Sequence, residues 1–168
     1  MELTVNELQS ADFEAWLPLW QGYLEFYKSS LSEETTRTTW QRLTDPKEPM
    51  FALGAFADSH GADGSARDTK SLGAQTDTRL VGIAHIIYHR SCWTTGDYCY
   101  LQDLFTAADA RNQGVASTLI EAVYARAKAD GASRVHWLTH ETNTTAQKLY
   151  EKVAARSGFI QFRKILSL

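Results

Sequence analysis

Between Tyr98 and Thr139 the hydrophobic period changes from two to 3.6 and back again. Tyr98 to Thr106 reads as a strand and Ala107 to Gln113 as a turn. Ala116, Leu119, Ile120, Val123, Tyr124 and Ala127 then recur at i, i+3, i+4, i+7, i+8 and i+11, one stripe of a long amphipathic helix. Gly131 stops that helix, and Arg134 to Thr139 reads as a second strand. Strand, helix and strand at this spacing make a βαβ unit. Its two strands lie parallel and its crossover is right-handed. A chain holding such a unit is an α/β protein, with a mixed sheet and helices on both faces.

The remaining segments fit around that unit. Leu3, Val5 and Leu8 suggest a short first strand. Ser10 is a candidate N-cap for a helix carrying Phe13, Trp16, Leu17, Trp20, Tyr23, Leu24 and Tyr27, and Pro18 is expected to kink or divide it. A second helix runs from Ser32 to Leu43, with Ser32 as cap and Glu33 and Glu34 in its first turn; Asp45-Pro46 and Pro49 end it. Met50 to Ala57 and Arg79 to His89 are strands, Asn143 to Val153 a helix, and Phe159 to Leu166 a last strand. Residues 58–78 are rich in Gly, Ser, Asp and Thr and read as a long flexible loop.

Composition narrows the function. With 168 residues, 43% hydrophobic and 22% charged, the chain suits one soluble domain spanning 1–168. Seventeen basic against twenty acidic residues give −3, which argues against a nucleic-acid partner. No apolar run approaches the ~20 residues of a membrane helix, so no membrane partner is expected. Met1 to Gln9 has no basic n-region followed by an apolar stretch, so the expectation is a cytoplasmic protein. Cys92 and Cys99 lack partners at metal-ligand spacing and read as reduced thiols, with no metal expected.

Arg111-Asn112-Gln113-Gly114-Val115-Ala116-Ser117 joins the strand to the long helix. A helix N-terminus offers unpaired N–H groups and a positive dipole end, and so favours phosphate. Gly114 permits a tight turn and close approach of an anion, Ala116 keeps the next turn clear, and Arg111 adds a charged donor. The bland alternative is a Gly-containing helix entry beside a surface arginine. Neither a nucleoside-triphosphate loop nor a dinucleotide loop fits. The first needs Gly-Lys-Ser/Thr, and the second needs three glycines after the first strand of the fold.

Three segments together resemble the GNAT superfamily of acetyl-CoA-dependent N-acetyltransferases. They are Leu101-Gln102-Asp103-Leu104-Phe105-Thr106, Arg111-x-x-Gly114-x-Ala116, and Asn143-x-x-Ala146-x-x-x-Tyr150-x-Lys152. Within it, Tyr-Leu-Gln-Asp-Leu-Phe and Thr-Asn-Thr-Thr-Ala-Gln-Lys-Leu-Tyr-Glu-Lys are most similar to the histone/polyamine branch, which includes the diamine acetyltransferases. The resemblance implies a GNAT fold: a mixed, mostly antiparallel sheet that opens between its two parallel strands. It implies acetyl-CoA as cosubstrate, with the backbone of Leu104, Phe105 and Thr106 along the pantetheine arm. N–H groups in the Arg111–Ser117 loop (Gln113, Gly114, Val115, Ala116 and Ser117) hold the pyrophosphate. Asn143 contacts the cofactor, Tyr150 sits by the sulfur, and Lys152 is a solvated residue or a phosphate contact. A homodimer is the common assembly in the family.

The implied chemistry suits these residues. An amine that attacks the thioester expels a thiolate, and Tyr150 can give it a proton or a hydrogen bond. Tyr150 also reads as a core-packed helix aromatic. No cysteine occupies a motif position, so attack is expected to be direct, in a ternary complex. The acceptor ammonium, with a pKa near 10.4, is neutral in about one part in 2,500 at pH 7, a cost of about 4.6 kcal/mol. In diamine acetyltransferases a Glu precedes the Asp on the central strand. Here that position is Gln102, which cannot take the proton. Asp103 and Glu141, acting through water, are the first candidates, with His140 and His85 as alternatives. A strand histidine is more often a hydrogen-bonded structural group. Asp103 can also serve only to fix the backbone near the thioester. Tyr23, Glu25, Phe26 and Tyr27, with Trp93, Asp97 and Gln102, are candidates to bind the acceptor, a small-molecule or protein-lysine amine; aromatic rings and carboxylates suit a cation. Tyr23 and Tyr27 read equally well as core-facing. The competing function is a non-catalytic acyl-CoA-binding sensor, which Gln102 favours and Tyr150 opposes.

Overall fold

The computed structural model describes residues 1–58 and 78–166. The 58–78 loop expectation falls almost wholly on 59–77, outside the described residues. The chain packs as two compact units, Met1–Trp137 and Leu138–Leu168.

The first unit holds a five-stranded sheet in sequential order: β1 (Leu3–Glu7), β2 (Met50–Asp58), β3 (Thr78–His89), β4 (Tyr98–Thr106) and β5 (Val135–His136). The first four strands pair antiparallel and β4 pairs parallel with β5, as a βαβ unit requires. Its helices are α1 (Phe13–Phe26), α2 (Glu33–Thr44) and α3 (Val115–Ala129). His85 and Gly82 lie three residues apart on β3 and so point to opposite faces. His85 meets Trp16 of α1, whereas a side chain at Gly82 would strike Val115 Cγ1 at 2.5 Å on α3. Helices therefore cover both faces, and the glycine lets α3 lie close to the strand.

The core on the α1 and α2 side gathers Leu8, Trp16, Leu19, Trp20, Trp40, Leu43, Ala52, Leu80 and Ile83. Trp16 and Trp40 lie 4.7 Å apart between ring centroids. Truncating such a buried aromatic typically costs about 3–5 kcal/mol. That packing explains the first correction: α1 runs unbroken through Pro18. Proline denies the Glu14 carbonyl its helical N–H donor. Trp16, Leu19 and Trp20, buried on either side of it, hold the helix in one piece.

The start of α1 also differs from expectation. Ser10 opens a short 3₁₀ turn, Ser10–Asp12, instead of capping α1. Asp12 Oδ2 accepts from the Gln9 N–H at 2.8 Å. Ser32 does cap α2, its Oγ accepting from the Thr35 N–H at 3.0 Å. α3 buries Val115, Leu119, Ile120, Val123 and Ala127, while Ala116 and Tyr124 are half-buried.

Two strand expectations are corrected. The strand expected over Arg134–Thr139 is only Val135–His136. In the second unit, α4 (Thr144–Val153) forms as expected, but residues 154–166 form neither helix nor strand. Phe159, Ile160, Phe162, Ile165 and Leu166 are all exposed. Their β propensity reflects fit to a pleated, half-buried surface. Without a neighbouring ladder it does not produce a strand.

Candidate active site

The β4–β5 ladder consists of Cys99↔Val135 and Tyr100↔His136. From Leu101 onward β4 pairs on its β3 side alone among the described residues. A bulge follows at once: His85 opposes Asp103 and Ile86 opposes Leu101, which leaves Gln102 as the extra residue. A bulge bends its strand and re-aims the side chains beside it. Gln102 is exposed, Asp103 is buried, and Leu104, Phe105 and Thr106 are half-buried.

Asp103 sits in a polar network under α1. The Trp16 indole N–H donates to His85 Nε2 at 2.9 Å, and His85 Nδ1 lies 2.9 Å from Asp103 Oδ2. An indole N–H can only donate, so Nε2 accepts and the ring proton resides on Nδ1, aimed at the carboxylate. His85 is thus the hydrogen-bonded strand residue of the two readings, with both ring nitrogens engaged. The Tyr23 hydroxyl also bonds Asp103. Burial, and then the nearby carboxylate, push that phenol well above its ordinary pKa, so it stays a donor. Tyr100 is raised for the same two reasons.

Where β4 ends, the chain turns through Ala108–Ala110 into α3. Asn112 and Gly114 have positive φ, 61° and 86°. A Cβ at Gly114 would meet no protein atom within 4 Å, so the glycine answers a left-handed backbone beneath open space. Gln113 ties the loop back through the Asp109 carbonyl at 2.9 Å. No side chain caps α3, and no acid occupies its first turn. The N–H groups of Val115, Ala116 and Ser117 therefore stand at an uncapped helix N-terminus. Arg111 lies over the Phe105 ring at 5.8 Å, joining the loop to the end of β4.

The second unit carries Glu141, Asn143 and Tyr150. Asn143 caps α4, its Oδ1 accepting from the Ala146 N–H at 3.3 Å. Asn143 and Tyr150 share one half-buried face of the helix. Glu141 is exposed, and His140 Nδ1 lies 2.7 Å from the Thr142 hydroxyl.

The structure joins only some of the acceptor candidates. Tyr23 stacks near Trp20, Tyr27 and Phe105, and so belongs to the Asp103 cluster. Glu25, exposed on α1, lines a groove of about 750 Å³ between α1 and α2, with Phe13, Leu17, Leu24, Lys28 and Arg37. Phe26 is half-exposed. Trp93 is 88% exposed in the β3–β4 loop, beyond the His89↔Tyr98 pair that ends the ladder. Asp97, in the same loop, pairs with Arg90 at 3.4 Å. Neither belongs to the Asp103 cluster. Cys92 is exposed and Cys99 buried, both as free thiols; burial pushes Cys99 up to about 11.

Comparison with known proteins agrees with the fold. The model of the Acetyltransferase (GNAT) family matches residues 13–155, most of the chain. The chain belongs to the GNAT acetyltransferase family. As a GNAT protein it is an acyltransferase, and a curated relative supports N-acetyltransferase activity. That relative, the D-amino-acid N-acetyltransferase of Saccharomyces cerevisiae, is 32% identical over 162 residues, 96% of this chain and 90% of the yeast protein. The fold is shared with a ribosomal-protein-alanine N-acetyltransferase from Brucella melitensis biovar Abortus 2308, at 17% identity and TM-score 0.73, covering 98% of this chain and all of the other. It is also shared with the aminoglycoside acetyltransferase AAC(6')-Iy bound to a CoA-acetylneamine bisubstrate analogue, at 16% identity and TM-score 0.73, covering 99% and 100%.

GNAT enzymes use acetyl-CoA. Among the described residues, no group of three His, Cys, Asp or Glu converges as a metal site, and no helix is long and apolar enough to cross a membrane. What sequence reasoning missed in this GNAT chain is Trp16 as the partner of His85. The available signal was a histidine inside the apolar run Leu80–Tyr88, which needs a buried polar partner.

Proposed function

We propose that this GNAT chain moves an acetyl group from acetyl-CoA to a primary amine by direct attack. The observation that carries the reading is the one-sided β4 edge running from the bulge into an uncapped α3 N-terminus. Leu104, Phe105 and Thr106 offer backbone groups that suit the pantetheine amides, as an added strand would. The α3 N–H groups and Arg111 suit the pyrophosphate. Asn143 supplies a further amide donor. The lone pair of the amine attacks the thioester carbon and the C–S bond breaks. The thiolate takes the Tyr150 proton, and the proton of the acceptor nitrogen passes through water to Asp103 or Glu141.

The acceptor reading is a small amine, and the yeast relative's activity on D-amino acids supports it. The histone/polyamine branch rests on the Tyr100–Phe105 and Thr142–Lys152 segments alone. The homodimer reading is supported by five exposed apolar residues, Phe159, Ile160, Phe162, Ile165 and Leu166, because exposed apolar surface marks interaction sites. Thiol release from acetyl-CoA over a panel of D-amino acids, polyamines, aminoglycosides and lysine peptides tests the enzyme. Release with one class is expected, and tight acetyl-CoA binding with no release across the panel would overturn direct transfer to these amines. Gly114→Glu places bulk and charge over the pyrophosphate loop, and acetyl-CoA affinity should fall at least tenfold by calorimetry. An unchanged affinity would remove the phosphate assignment.

A further inference from the structure

Three polar groups in a row cross an otherwise apolar layer between α1 and the sheet: the Trp16 indole, the His85 imidazole and the Asp103 carboxylate, each bond 2.9 Å long. Trp16 is wholly buried, and His85 and Asp103 nearly so. Polar groups in such a layer are costly unless every member is satisfied, and an apolar residue at position 85 would hold α1 on the sheet as well. Trp20 supplies an internal comparison. Its ring lies 5.2 Å from His85, yet its buried indole N–H has no hydrogen-bond partner among the described residues. Packing alone therefore does not demand the bond that Trp16 makes.

We propose that Trp16 and His85 form a positioning relay for Asp103, fixing its carboxylate as the group that receives the proton of the attacking amine. The proposal rests on the reading of Asp103 as that acceptor. Trp16 fixes the tautomer of His85, and the Nδ1–H of His85 fixes Oδ2 of Asp103. Because the indole N–H occupies Nε2, the imidazole cannot take a second proton without breaking that bond. The carboxylate therefore faces a neutral ring instead of an imidazolium that would hold it as a closed ion pair. The titratable groups around the pair are Tyr23 and Tyr27 from α1 and Tyr100 from β4; burial and then the Asp103 carboxylate raise Tyr23 and Tyr100. The β2 strand places Ala52 opposite His85.

The test measures kcat and KM against pH, with acetyl-CoA and the best acceptor of the amine panel. Trp16→Phe keeps a ring and frees Nε2. The kcat/KM profile against pH should then differ from that of the wild type, because Nε2 no longer accepts from an indole donor. Trp20→Phe should leave the profile as in the wild type. His85→Leu should lower kcat about 10- to 100-fold with acetyl-CoA KM within about threefold, and His85→Asn, which keeps a donor toward Asp103, should recover most of it. Asp103→Asn separates the two layers of the argument. Wild-type kcat in that variant removes Asp103 as acceptor, and the relay with it. A dead Asp103→Asn beside a wild-type profile for Trp16→Phe, with His85→Asn no better than His85→Leu, overturns the relay alone. Should His85→Leu fail to fold, the Trp16→Phe profile decides.

Discussion

α3 and α4 are both amphipathic helices that carry candidate residues, and they bury their apolar stripes differently. α3 buries Val115, Leu119, Ile120, Val123 and Ala127 against the sheet of the first unit. α4 buries no residue, and its better-covered face, which includes Asn143, Ala146 and Tyr150, is half-buried. An apolar stripe tells which side of a helix seeks cover but not how much cover it finds. The first helix is fixed by its core, and its N-terminus is held in place with it. The second spends its half-buried face on side chains with chemistry, an amide and a phenol.

The sharpest break in that comparison is Tyr150→Phe. The ring and its packing remain, while kcat should fall about 10²–10⁴-fold with acetyl-CoA affinity and melting temperature nearly unchanged. Normal turnover would return Tyr150 to a packing role and make the two helices alike. Next in size is a matched pair of truncations. Leu119→Ala should cost about 2–5 kcal/mol of unfolding free energy in denaturant titration, and half-buried Leu149→Ala about 1 kcal/mol. Equal costs would show that α4 is as deeply supported as α3. The two capped helices give a smaller contrast. Ser32→Ala and Asn143→Ala should each cost about 1 kcal/mol, but only Asn143→Ala should also weaken acetyl-CoA binding in calorimetry. The smallest effect on folding is expected from Phe159→Ser with Phe162→Ser, within about 0.5 kcal/mol because both rings are exposed. Light scattering should show that pair dissociating a dimer; an unchanged mass would end the homodimer reading.

Legibility followed sequence distance. Local features were readable: the βαβ unit, the Ser32 cap, the α3 stripe and the glycine loop each depend on residues within a few turns of one another. Pro18 misled because its local cost is visible, whereas the tryptophans that hold the helix together owe their effect to packing against β2 and β3. The last strand misled for the complementary reason. Its residues favour a sheet, but a strand exists only where another supplies N–H and C=O groups in register.

The sequence by itself determined the fold class, the family and the loop that suits a pyrophosphate, because periodicity and helix-end chemistry are written in neighbouring residues. The tertiary structure alone decided how soon β5 leaves β4, that Gln102 is the bulged residue, and that Asp103 is bonded by His85 and His85 by Trp16. Those partners lie 18 and 69 residues apart along the chain. Only the packing of α1 across two antiparallel strands brings three such groups within hydrogen-bond reach, and burial then removes the water that would compete for them.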